Sequence, residues 1–160
     1  MRDIHIKAHA KPRIVKEVDF KRILEILPHR YPMLLIDKVI DITPGISGTG
    51  IKNVTANEPY FAGHFPKEPI LPGVMMIESM AQTACVVVIE ELGTHSEGRS
   101  VYFMSVEHGR FRKPVVPGDT IYLSVSVKRR RGNVWKFCGE AHVNGVLCAE
   151  AVFTAMIQDD

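Results

Sequence analysis

Between Pro72 and Gly93 the chain reads GVMMIESMAQTACVVVIEEL, and a helix drawn through it is apolar around nearly its whole circumference until Glu90. Pro72 suits a first helical position and Gly93 suits the stop, so the run predicts one helix of about 20 residues, roughly 30 Å long. A helix with no polar face has to be enclosed by other structure. It is short for a membrane span and is interrupted by Glu78 and Gln82, which argues for a buried core helix and against stable membrane insertion. Whatever else the chain builds must therefore wrap this helix.

The rest of the chain supplies strands to do so. Asp19 can cap a short helix, FKRILEIL, that Pro28 ends. MLLIDKVIDI and GISGTGIKNV then read as neighbouring strands turning near Pro44 and Gly45, with glycines in the second that suggest bulges or close backbone approach. Residues 55 to 71 hold prolines and no usable period, the mark of a long irregular loop of the functional kind. The C-terminal third alternates through TIYLSVSV, VWKFCGEAHV and VLCAEAVFTAMI. Hairpin turns fall at Arg131-Gly132-Asn133 and at Asn144-Gly145, the second a type I′ signal. One buried helix and about six antiparallel strands predict an α+β architecture with the sheet wrapped around the helix.

Composition sets bounds on function. A chain of 160 residues with 46% apolar and 24% charged side chains fits one domain, 1–160, with a flexible N-terminus expected over residues 1–11, where His5 and His9 lie. A net charge of +2 calls for no polyanion, so no nucleic-acid partner is expected. Cys85, Cys138 and Cys148 lack metal-ligand spacing and read as reduced thiols of a cytoplasmic protein. The first residues hold no apolar signal region.

Two residues carry candidate chemistry. Glu78 lies in the apolar helix beside Ile77, with Gln82 four residues on and on the same face, able to hydrogen-bond and orient it. A buried carboxylate needs a partner or a proton, and a structural carboxylate met by backbone or arginine fits as well as a catalytic one. His64 sits in the loop after Gly63, where a lone histidine is more often an exposed bystander. Their company shifts the balance. A base, an acid and the first free amides of a helix from Gly73 onward fall within one segment, as proton abstraction beside a thioester carbonyl and loss of a β-hydroxyl would require.

The blocks LPHRYPMLLIDKV (27–39), KNVTANEPYFAGHFPKEPILPGVMMIESMAQ (52–82), VYFMSVEHGRFRKPVVPGD (101–119) and AEAVFTAMI (149–157) resemble the β-hydroxyacyl-acyl-carrier-protein dehydratases of bacterial fatty acid synthesis, the FabZ type of the hot-dog fold. They cover most of the chain beyond its first twenty residues. The resemblance implies that His64 is the base removing the C2 proton and Glu78 the acid protonating the leaving 3-hydroxyl. It further implies that Gly73 polarises the thioester carbonyl through its amide and that Tyr102 gates the acyl tunnel. Glutamate, not aspartate, at position 78 matches the non-isomerising branch. The resemblance also implies acyl carrier protein as partner, a homodimer with shared active sites, a homohexamer of three such dimers, and no metal or organic cofactor.

Arg110, Arg112 and Lys113 form the better candidate surface for docking the acidic carrier protein. The cations in VKRRRG (127–132) read as a solvated loop before a hairpin turn. His29 and Arg30 are expected to brace a loop. Another thioester enzyme of the same fold, a thioesterase or an enoyl hydratase, and a non-catalytic carrier-binding scaffold are the competing functions. A binder would have no need of both His64 and Glu78.

Overall fold

The computed structural model describes residues 13–158; the expectation of a flexible stretch at 1–11 lies outside them. In chain order the elements are β1 (Val15–Val18), α1 (Phe20–Ile26), β2 (Lys38–Thr43), β3 (Ser47–Asn53), a 3-10 turn at Pro59–Ala62 and α2 (Gly73–Leu92). A second 3-10 turn at Thr94–Ser96 precedes β4 (Val101–Phe111), β5 (Thr120–Arg131), β6 (Val134–Val143) and β7 (Val146–Ile157). The strands form one antiparallel sheet in the order β1-β2-β3-β5-β6-β7-β4. It curls around α2 in the α+β hot-dog arrangement the resemblance implies.

Local chemistry places the elements. The Asp19 carboxylate accepts from the Arg22 amide and starts α1. At the other end Arg30 donates to the carbonyls of Leu24, Leu27 and His29, satisfying acceptors the helix leaves open. Pro72 is the N-cap of α2, one place ahead of its expected position, and Gly93 ends the helix at a φ of 93° that favours glycine. Asn144 and Gly145 both take positive φ, as a type I′ hairpin needs.

The sheet approaches α2 closest at β3, whose inward positions are Gly48, Gly50 and Lys52. A Cβ on Gly48 would stand 2.8 Å from Val87 Cγ2, and one on Gly50 would stand 2.0 Å from Thr83 Oγ1. Those glycines mark close approach of strand to helix, not bulges. By length and composition α2 passes the test for a membrane span, yet 67% of its apolar window is buried inside the molecule, as in a core helix.

Three expectations are corrected. The sheet has seven strands, because the short, mixed VKEV segment pairs with β2 as β1. MLLID is not strand: β2 begins at Lys38, and the Leu35 amide bonds to the Gln82 side chain instead of a neighbouring strand. The cations of VKRRRG lie in β5, not in a loop. Arg129, Arg130 and Arg131 pair with Lys136, Trp135 and Val134 of β6, and the Arg130 guanidinium lies 4.3 Å over the Trp135 ring.

Candidate active site

The segment from Thr55 to Pro72 holds its shape through turns and side-chain anchors, having no ladder to join. Its 3-10 turn delivers the chain to His64, whose amide bonds to the Tyr60 carbonyl at 2.9 Å. The Ile70 amide donates to the His64 carbonyl at 3.0 Å, and His64 Nδ1 lies 2.7 Å from the Ile70 carbonyl. A carbonyl only accepts, so Nδ1 carries the proton and Nε2 presents a lone pair. The ring is thus fixed in the tautomer a general base needs. His64 lines a cavity of ≈480 Å³ together with Gly73, Met76, Phe111, Arg112 and Lys113.

Gly73 opens α2 there, and its amide is among the first-turn donors that no helical carbonyl can reach. The Phe111 ring packs on it so closely that a Cβ would stand 2.7 Å from Phe111 Cδ1. Any side chain here would have to push the exposed ring aside, and glycine leaves the two in contact.

Glu78 lies about one and a half turns farther along α2, and its side chain is 20% exposed. Gln82 Nε2 donates to Glu78 Oε1 at 3.0 Å, as the four-residue spacing predicts. The same amide group donates to the Met33 carbonyl at 2.7 Å, while Gln82 Oε1 accepts from the Leu35 amide at 2.9 Å. Gln82 is therefore locked on three sides, and it locks Glu78. His29 Nε2 is 3.3 Å from the same Oε1. His29 thus has a place at the site beyond the bracing role expected of it. No periodicity foretold this, since it depends on how the chain after α1 folds back onto α2.

Glu78 lines a slot of ≈20 Å³ with His29, Ala81, Gln82, Cys85, Val101, Phe103 and Ala155. That holds about one water and no acyl chain. The Cys85 thiol in its wall is pushed up to about 12, chiefly by burial, so it stays protonated and is no nucleophile.

Within one chain His64 and Glu78 therefore line separate cavities. The strand joining them is β4, which ends the sheet and, among the described residues, has one edge unpaired. Its Val101 and Phe103 border the Glu78 slot, its Phe111 borders the His64 cavity, and Tyr102, Met104 and Val106 are exposed. Tyr102 alternates away from Val101 and Phe103 and is 51% exposed at the mouth of this edge. Arg112 bonds to Glu150 at 2.7 Å and, with Lys113, rims the His64 cavity, whereas Arg110 lies across the ladder from Glu150. Among the described residues no three His, Cys, Asp or Glu side chains converge as a metal site would need.

A model of the FabA-like domain matches residues 27–152. A 3-hydroxyacyl-acyl-carrier-protein dehydratase FabZ of Rhodospirillum rubrum is 59% identical over 143 residues, 89% of either chain. One of Rickettsia bellii is 49% identical over 142 residues, 89% of this chain and 97% of that relative. Among solved structures, the dehydratase heterocomplex ApeI:P from Xenorhabdus doucetiae superposes with a TM-score of 0.74 at 18% identity, covering 86% of this chain and 91% of that one. A hypothetical thioesterase with coenzyme A from Streptococcus pneumoniae gives 0.58 at 10%, covering 76% and 85%. At such identities the two structures speak for the fold alone.

Proposed function

The chain belongs to the FabA-like domain family, and from that premise we propose that it dehydrates (3R)-hydroxyacyl-acyl-carrier-protein to trans-2-enoyl-acyl-carrier-protein in the type II fatty acid elongation cycle. It is a hydro-lyase, and acyl carrier protein brings its substrate. The observation that carries the mechanism is the tautomer of His64, whose Nε2 lone pair is held outward by the Nδ1 bond to Ile70.

In this reading His64 Nε2 takes the proton from C2, and the C–H electrons form the C2–C3 double bond. The 3-hydroxyl leaves with a proton from Glu78 as water. The Gly73 amide, at the positive end of α2, polarises the thioester carbonyl so that charge developing on its oxygen is met by a fixed donor. Each positioned proton-transfer group supplies typically ~10²–10⁴-fold. Both contacts to Glu78 fall on Oε1, which leaves Oε2 for the leaving hydroxyl.

A site split between two cavities of one chain works if a second copy completes it. Antiparallel pairing of β4 with its own copy about a two-fold axis sets the Phe111 end of one strand beside the Val101 end of the other. The His64 cavity of one subunit then meets the Glu78 slot of its partner, and the exposed apolar residues of β4 are covered. Tyr102 borders the tunnel so formed. Arg112 and Lys113, with Arg110 nearby, receive the acidic carrier. Three such dimers make the hexamer of this reading, in the cytoplasm, where free Cys85, Cys138 and Cys148 are at home.

The test starts from purified protein and a carrier-bound 3-hydroxyacyl thioester, following enoyl absorbance and free thiol together. Enoyl product without thiol is the expected result, and thiol release would make the protein a thioesterase. Mixing then tests the shared site. His64→Ala and Glu78→Ala are each expected to be inactive alone, and co-expressed chains should regain about a quarter of wild-type activity, because only mixed dimers hold one intact site. No recovery would place both residues in one subunit's site.

A further inference from the structure

An ion pair between buried Lys52 and partly buried Glu58 lies between the His64 loop and the Glu78–Gln82 pair. We propose that Lys52 and Glu58 are positioning residues for the dehydration, fixing the His64 loop and the Glu78–Gln82 pair to each other through the core. This rests on the function proposed above.

Lys52 follows Gly48 and Gly50 on the inward face of β3 and is 2% exposed. Its ammonium donates to Glu58 Oε1 at 2.5 Å and to the Leu35 carbonyl at 3.3 Å. From there two branches lead outward. On one side Glu58 accepts from the Tyr60 hydroxyl at 2.5 Å and from the Thr55 amide at 2.9 Å, pinning the turn whose Tyr60 carbonyl holds the His64 amide. On the other side the Leu35 amide donates to Gln82 Oε1, and Gln82 donates to Glu78. Every step is a hydrogen bond or lies within one residue, and neither Lys52 nor Glu58 lines the cavities of His64 or Glu78.

The chemistry explains why charges stand there. A lysine facing the core loses its hydration, and an apolar side chain of similar volume often does as well for stability alone. What an apolar side chain cannot do is hold two backbone segments by directed bonds. Burial pushes the Glu58 carboxyl up, but the Lys52, Tyr60 and Thr55 donors together hold it below the usual carboxylate range. Burial and the Glu58 charge in turn push the Tyr60 phenol up, so it remains a donor. Glu58 is therefore ionised at neutral pH and accepts from Lys52, Tyr60 and Thr55 at once, a strut between loop and helix.

Lys52→Met and the milder Tyr60→Phe are compared with wild type for kcat, KM for carrier-bound substrate, melting temperature and the His64 ring resonances by NMR. Lys52→Met is expected to lower kcat by about 10²-fold, the cost of displacing a catalytic group by an ångström, with KM little changed. Tyr60→Phe is expected to lower kcat several-fold, and both should shift the His64 resonances. Melting without those changes, with wild-type kcat per folded molecule, would reduce the pair to scaffolding and overturn the proposal. Should Lys52→Met fail to fold, Tyr60→Phe decides, and an unchanged kcat and His64 signal overturn it. Wild-type protein without dehydratase activity would refute the function instead, while a moved His64 signal in Tyr60→Phe would still report the strut.

Discussion

Replacing Gln82 by methionine, which nearly preserves its volume, removes three hydrogen bonds of unequal worth. The Leu35 amide loses its acceptor inside the core, where Leu35 is 4% exposed, and an orphaned buried donor costs about 1–3 kcal/mol. The Met33 carbonyl loses a donor but belongs to an exposed residue, so water replaces much of what is lost. Glu78 loses the donor that holds Oε1 and stays partly hydrated. The stability loss is then about 2–4 kcal/mol, or a fall of roughly 4–16 °C in melting temperature for a chain this size. Under the proposed mechanism the kinetic loss comes from the third bond: an acid free to rotate away from the leaving hydroxyl should lower kcat by ~10–10²-fold with little change in KM. Gln82→Glu separates the two effects. It keeps the acceptor for Leu35, losing less stability on that account, but sets a second carboxyl beside Glu78. Thermal melts and steady-state enoyl formation on all three proteins suffice. A Gln82→Met variant melting within about 2 °C of wild type and turning over normally would show that Glu78 needs no such brace.

Gly50→Ala should destabilise the protein by about 1–3 kcal/mol in urea, because the new methyl meets Thr83 Oγ1; Thr83→Ala in the same chain should recover part of that loss, and additive costs would disprove the clash. Glu58→Gln keeps an acceptor for Lys52 but removes the countercharge, and should cost about 1–3 kcal/mol near neutral pH. The folded-state pKa of Glu58 is depressed, so its stabilisation is complete above its ordinary value of 4.5 and lost as pH falls through the lower folded value; the gap to wild type should close on acidification, and a constant gap would refute the assignment. Charge reversal at Arg112 or Lys113 should raise KM for carrier-bound substrate while sparing a short thioester analogue, and an equal response would end the docking assignment. Gly73→Ala should cost little stability, since the exposed Phe111 ring can turn aside, yet lower kcat by displacing that ring into the His64 cavity.

The core helix, its glycine stop and the last three strands were legible because each is set by a strong local pattern. Val134–Val143 and Val146–Ile157 alternate over most of their length around a turn whose chemistry admits little else. The pairing of Glu78 with Gln82 was legible too, since four residues on a helix share a face. What escaped depends on contacts distant in sequence. Lys52 alternates inward like its neighbouring glycines, but only the folded chain reveals that Glu58 and the Leu35 carbonyl await it. His29 reaches Glu78 across 49 positions of chain, and nothing near either residue announces the other. The cations of 128–131 mislead because their charge argues for loop while the ladder with β6 and the face of Trp135 hold them in strand.

The place of β4 has a consequence for how the protein is made. It is synthesised before β5, β6 and β7, yet among the described residues its one partner is β7, the last strand. A nascent chain has completed Phe111 roughly 45 residues before Ile157 follows. At ~5–20 residues per second the strand waits for seconds without its ladder until β7 arrives. A ribosome pause or a truncation between those points leaves β4 without its ladder to β7, which makes this the interval in synthesis most open to mispairing.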